Sequence, residues 1–124
     1  MIVHVDTSAL VDALTGPRRS LETLTALTRE GHRLTCSTLV LYEWLRGPRT
    51  RAELAAQEAL FPSAEAAAFG PAESAATARL YKQTPRPRGR ELDLAIAACA
   101  LVAGAAIWTL NPADFRDLPG VRVI

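Results

Sequence analysis

Cysteine is scarce in this chain: Cys36 and Cys99 are the only two, each inside an apolar run and neither in a pairing motif. Buried, reduced thiols are the expectation, and a disulfide framework is excluded. Long hydrophobic runs are missing too. No apolar stretch reaches the ~18 residues a membrane span needs, and Asp6 interrupts any signal-like opening, so no membrane association and a soluble, cytoplasmic protein are expected. Lysine is nearly absent, with Lys82 alone among 14 basic residues and arginine supplying the other 13. Neither an internal repeat nor a low-complexity segment is present.

Alanine is what the chain has in quantity, 23 of 124 residues. It favours slim, closely packed helices of strong intrinsic propensity. A single domain over 1–124 is long enough to bury a core without a structural metal. The formal net charge is only +1. If four acids were neutralised by bound cations the remainder would be mildly basic, a balance that suits a phosphate-backbone binder.

The opening stretch Met1-Ile2-Val3-His4-Val5-Asp6-Thr7-Ser8 organises the rest. A branched aliphatic run ends at an aspartate, and a hydroxyl-rich turn leads into a helix beginning at Ala9. A buried strand therefore presents a carboxylate at its carboxyl end, the edge where open α/β sheets bind ligands. Further on, Leu21, Leu24 and Leu27 predict an amphipathic helix from Ser20 to about Glu30, closed by Gly31. Arg33-Leu34-Thr35-Cys36 reads as a short strand. Ser37 or Thr38 caps a helix from Leu39 to Arg46, and Gly47-Pro48 stops it.

A weak helix is expected over Arg51 to Leu60, and a short strand over Ala64 to Phe69. Pro71 opens a helix through Lys82 with Ala75, Ala78 and Tyr81 near its buried stripe. A stiff basic loop, Thr84 to Arg90, precedes a strong helix from Glu91 to Ala103 that Gly104 closes. Ala105 to Thr109 is a strand, Pro112 to Phe115 a turn of helix, and Val121 to Ile124 a last strand. Strands alternating with helices predict an α/β/α sandwich around a mainly parallel sheet.

Three more acids are expected at the edge that Asp6 occupies. Glu43 faces the top of the sheet if Leu41, Trp44 and Leu45 face the core; Asp93 lies in the first turn of its helix; Asp114 follows the strand ending at Thr109. Four converging carboxylates repel one another and raise each other's pKa, a cost that a divalent cation removes. All-oxygen ligands select hard ions such as Mg²⁺ or Mn²⁺ over zinc. Such a centre activates water and stabilises charge developing on a phosphate.

Asp6-Thr7-Ser8, Tyr42 to Gly47, Glu91 to Ala98 and Thr109 to Phe115 resemble, in order and spacing, the four acidic motifs of PIN domains, most closely those of VapC-type toxins. The resemblance implies a single PIN-like domain and a Mg²⁺- or Mn²⁺-dependent endoribonuclease. It also implies an RNA substrate, a homodimer and a cognate VapB-like antitoxin that holds the enzyme inactive. Carried over by position, Asp6, Glu43, Asp93 and Asp114 are the catalytic and metal-binding acids, one of them orienting the attacking water. Ser8 matches the small polar residue of the first motif, and Thr109 and Asn111 match the polar residues that brace the fourth. Leu92 departs from the family, which often has asparagine there; the change removes a polar contact around the third acid without touching the metal.

Arg86, Arg88 and Arg90, and also Arg46, are candidate contacts to an RNA backbone, against the plainer reading of solvated arginines. Asp12 and Asp117 read as surface or supporting residues. His4 and His32 read as non-catalytic, and Trp44 and Trp108 as core. Haloacid-dehalogenase-type phosphatases need an aspartate where Ser8 stands, and a receiver-like phosphoacceptor needs an acidic pair and a late lysine. The remaining competitor is a catalytically silent PIN-fold module that binds RNA or protein, and possession of all four acids argues against it.

Overall fold

The computed structural model describes all 124 residues. Its centre is a three-stranded parallel sheet in the order β2-β1-β3, formed by β1 (Ile2–Val5), β2 (Arg33–Thr35) and β3 (Ala106–Trp108). Val3 is opposite Leu34 on one side and Ala106 on the other, so β1 is hydrogen-bonded along both edges. Val3, His4 and Val5 are all buried although successive side chains point to opposite faces. Both faces of the sheet are therefore covered, as a parallel sheet requires.

Six helices supply that cover: α1 (Thr7–Leu14), α2 (Leu21–Arg29), α3 (Thr38–Arg46), α4 (Arg51–Leu60), α5 (Pro71–Gln83) and α6 (Glu91–Ala103). The expected α/β class and mainly parallel sheet are what the chain adopts. Helix α1 packs on α2 and α3, while α5 lies along α6, which in turn crosses β1 and β3. Helix α6 is buried almost all round from Leu94 to Ala100. Its alanines let it lie deep in the protein, and Gly104, at φ 66°, takes the left-handed turn that ends it.

Several local expectations change. Ala64 to Phe69 is not a strand: Ser63–Glu65 is a 3₁₀ turn, and only Ala67 pairs, its N–H donating to Cys36 O and its carbonyl accepting from Thr38 N. The last strand shrinks to one bridge, Ile107 with Val123. On α5 the inward stripe is Ala76 and Leu80, one residue along from the expected Ala75, with Tyr81 39% exposed. On α3 the core residues are Val40 and Trp44, while Leu45 points outward. Alanine-rich and short amphipathic helices carry a weak periodic signal, and their rotation is decided by the neighbours they meet.

The topology places the site. The chain leaves β1 for β2 on one side and later reaches β3 on the other, so β1 is the switch point of the sheet. Parallel strands end on one common edge, and α6, running back into β3, begins near that edge. The Asp6 N–H donates to Trp108 O at 2.9 Å, extending the ladder and pinning Asp6 at the centre of the rim.

Candidate active site

Asp6 occupies the N-cap position of α1 without using its side chain as a cap. The residue is only 7% exposed, and both bonds its carboxylate accepts fall on Oδ2: the Thr109 hydroxyl donates at 2.8 Å and the Ser8 hydroxyl at 3.1 Å. Oδ1 is left for another partner. The two hydroxyls are themselves oriented by backbone: Leu110 N donates to Ser8 Oγ at 3.1 Å and Asn111 N to Thr109 Oγ1 at 3.0 Å. Ser8 and Thr109 both brace the first acid, although Thr109 was matched to the fourth motif. Asn111 does so through its main chain, one step removed.

Glu43 is carried to the rim by α3, whose start is fixed by the Ser37 hydroxyl accepting from Val40 N. Its side chain is 17% exposed; Oε1 accepts from the Thr7 hydroxyl at 2.6 Å, and Oε2 lies 3.4 Å from Arg46 Nη2. Thr7 is a partner the sequence reading missed. The signal was a hydroxyl beside Asp6, but nothing local says that it reaches a residue 36 positions away.

Asp93 sits half-buried in the first turn of α6, and its carboxyl is pushed up to about 6. Burial is the main cause, followed by the negative charges of Asp114, Asp6 and Glu43, with Arg90 pulling the other way. All four acids therefore share one electrostatic field. Asp114 is exposed on the 3₁₀ turn Pro112–Asp114 that follows β3. As they stand, no three of the chain's His, Cys, Asp and Glu side chains come together closely enough to hold a metal ion. None of the four acids lines a cavity of the molecule. In chemistry the donor set fits a hard divalent cation: carboxylates alone, one oxygen of Asp6 free, and an excess of negative charge felt at Asp93.

The arginines divide. Arg46 is half-exposed, with its guanidinium 5.3 Å above the Tyr42 ring. Arg86 and Arg88 are exposed and form no ion pair. Arg90, expected to be a fourth backbone contact, is committed to the protein instead. Its Nη1 and Nη2 each lie 2.8 Å from an oxygen of Asp117, and Nη2 also donates to the Asp114 carbonyl at 3.0 Å. The fork holds the Asp117 carboxyl below its ordinary range. His4 is buried, with its pKa lowered by burial, and His32 pairs with Glu30 at the surface.

The PIN domain family matches residues 3–121. Among curated proteins, Ribonuclease VapC19 of Mycobacterium tuberculosis is 32% identical over 125 residues, covering 95% of each chain. Among solved structures, VapBC2 from Rickettsia felis bound to a DNA fragment from their promoter superposes with a TM-score of 0.75 at 19% identity, over 100% of this chain and 98% of that one. DNA-bound VapBC from Salmonella typhimurium gives 0.75 at 22% identity, over 100% and 97%. At such identities the two structures speak for the fold alone. No helix here is long and apolar enough to cross a membrane.

Proposed function

The chain belongs to the PIN domain family, among the VapC-type ribonucleases, and we propose that it is a divalent-metal-dependent endoribonuclease serving as the toxin of a VapBC-type pair. One observation carries the metal: both hydroxyl donors to Asp6 fall on Oδ2 and leave Oδ1 unengaged, on a rim where the charges of Asp6, Glu43 and Asp114 are felt at Asp93. A Mg²⁺ or Mn²⁺ held there would offset the carboxylates' charge, polarise a phosphate oxygen and orient a water for attack.

Asp6, Glu43, Asp93 and Asp114 are the residues that would hold the cation, and one of them orients the attacking water. Thr109 and Ser8 keep the Asp6 carboxylate turned so that Oδ1 stays available. Thr7 does the corresponding work on Glu43, and Arg46 beside it tempers the charge. Arg86 and Arg88, exposed on the loop before α6, are the candidates to meet an RNA backbone, with Arg46 a further one despite its place beside Glu43.

A VapB-like antitoxin and a second copy of the chain complete the proposal, by family membership. Calorimetric titration with Mn²⁺ tests the centre: the wild-type chain binds, and Asp6→Asn binds far more weakly. Equal heats from both proteins remove Asp6 from the centre. Light scattering that finds only monomer across working concentrations retires the dimer.

A further inference from the structure

Arg90 is the last residue before α6, and its main chain starts that helix: its carbonyl accepts from Leu94 N at 2.9 Å and its N–H donates to Pro87 O at 3.0 Å. Its side chain leaves the helix and crosses to the segment after β3, 24 to 27 residues on. There the guanidinium takes both oxygens of Asp117 and the main-chain carbonyl of Asp114. One planar group therefore joins the helix start that carries Asp93 to the turn that carries Asp114. Phe115 and Leu118, both buried, anchor the turn from beneath.

We propose that Arg90 is a positioning residue, which through its fork onto Asp117 and its bond to the Asp114 carbonyl sets the separation of the Asp93 and Asp114 carboxylates for a shared cation. The proposal rests on the metal-nuclease reading above and deepens it. A forked, planar donor is suited to this role, because three bonds from one rigid group fix distance and angle together. A lysine reaches either partner but not all three acceptors in that geometry. Arg90 thus differs from Arg86 and Arg88, its neighbours in the same basic loop, whose guanidinium groups are free.

The test uses the full chain with Arg90→Met, Arg90→Lys and Asp117→Asn, the last of which keeps the side-chain shape and guards against a misfolded arginine variant. Thermal melting, kcat and KM on RNA, and the half-saturating Mn²⁺ concentration are read for each, with Mn²⁺ calorimetry in the absence of RNA. Arg90→Met is expected to need on the order of tenfold more Mn²⁺ and to lose on the order of tenfold in kcat at saturating RNA, with KM little changed, as for residues that orient metal ligands. Arg90→Lys restores part of both. Asp117→Asn moves both in the same direction, and combining it with Arg90→Met adds little more.

A raised KM with an unaltered Mn²⁺ dependence makes Arg90 a phosphate contact and overturns the proposal. A lowered melting temperature with normal Mn²⁺ affinity makes it a plain structural pin, which overturns it equally. A wild-type chain that neither binds Mn²⁺ nor cuts RNA brings down the nuclease reading itself. A wild type that does both, beside an Arg90→Met that matches it, brings down the fork alone.

Discussion

The Thr109 hydroxyl donates to Oδ2 of Asp6 at 2.8 Å, joining the ends of two neighbouring strands across 103 residues of chain. The same oxygen of Thr109 accepts from Asn111 N, so one hydroxyl both turns the first acid and holds the start of the loop that bears the fourth. Thr109→Val keeps the shape and deletes both bonds. It is expected to lower cleavage by about 10- to 100-fold and to cost about 1 to 2 kcal/mol of stability, since a buried carboxylate oxygen loses a donor. Cleavage assays and urea unfolding check the two figures, and an unimpaired Thr109→Val would remove the hydroxyl from the mechanism.

Asp93 makes stability fall as pH rises. Its folded pKa of about 6 lies above the ordinary 3.8, so between these values the folded state keeps a proton that the unfolded state has lost. Unfolding free energy attributable to this group declines through that window and is level above it. With EDTA present, Asp93→Asn is expected to lack the decline and to be more stable than wild type at pH 7 by about 1 kcal/mol, allowing for solvent screening of a half-exposed group. Melting curves from pH 4 to pH 7 read the difference; a constant gap between the two proteins would contradict it.

Arg86 holds a left-handed backbone, φ 53°, immediately before Pro87. Such a conformation costs a residue with a Cβ about 1 to 2 kcal/mol, whereas glycine there costs about 1 kcal/mol in unfolded-chain entropy. Arg86→Gly is therefore expected to be no less stable than wild type while binding RNA more weakly. The slope of log affinity against log salt should shrink by about 0.7, the value for one phosphate contact on a single strand. An unchanged slope would take Arg86 off the RNA path.

The acids were legible because each lies where a change of pattern marks an element boundary: Asp6 where a branched aliphatic run stops, Asp93 in a first turn, Asp114 after a strand. Glu43 was placed on the rim by assuming that Leu41, Trp44 and Leu45 face inward; Leu45 is exposed, and the rotation of α3 is set by Val40 and Trp44. Short helices with apolar residues on more than one side do not reveal their facing from spacing alone. The Arg90–Asp117 fork and the Thr7–Glu43 bond were invisible for another reason. They join residues far apart in sequence, and a charge in a basic loop looks the same whether it meets a carboxylate or solvent.

The decisive measurement is cleavage of total RNA by the purified chain, run with Mg²⁺ or Mn²⁺, with EDTA, and with Asp6→Asn as the control. Discrete cleavage is expected that needs the divalent cation and falls by more than about 100-fold in the mutant, since losing a ligand exceeds the loss of a residue that only orients one. Cleavage that survives EDTA, or that Asp6→Asn retains at the wild-type rate, would contradict the metal-nuclease reading.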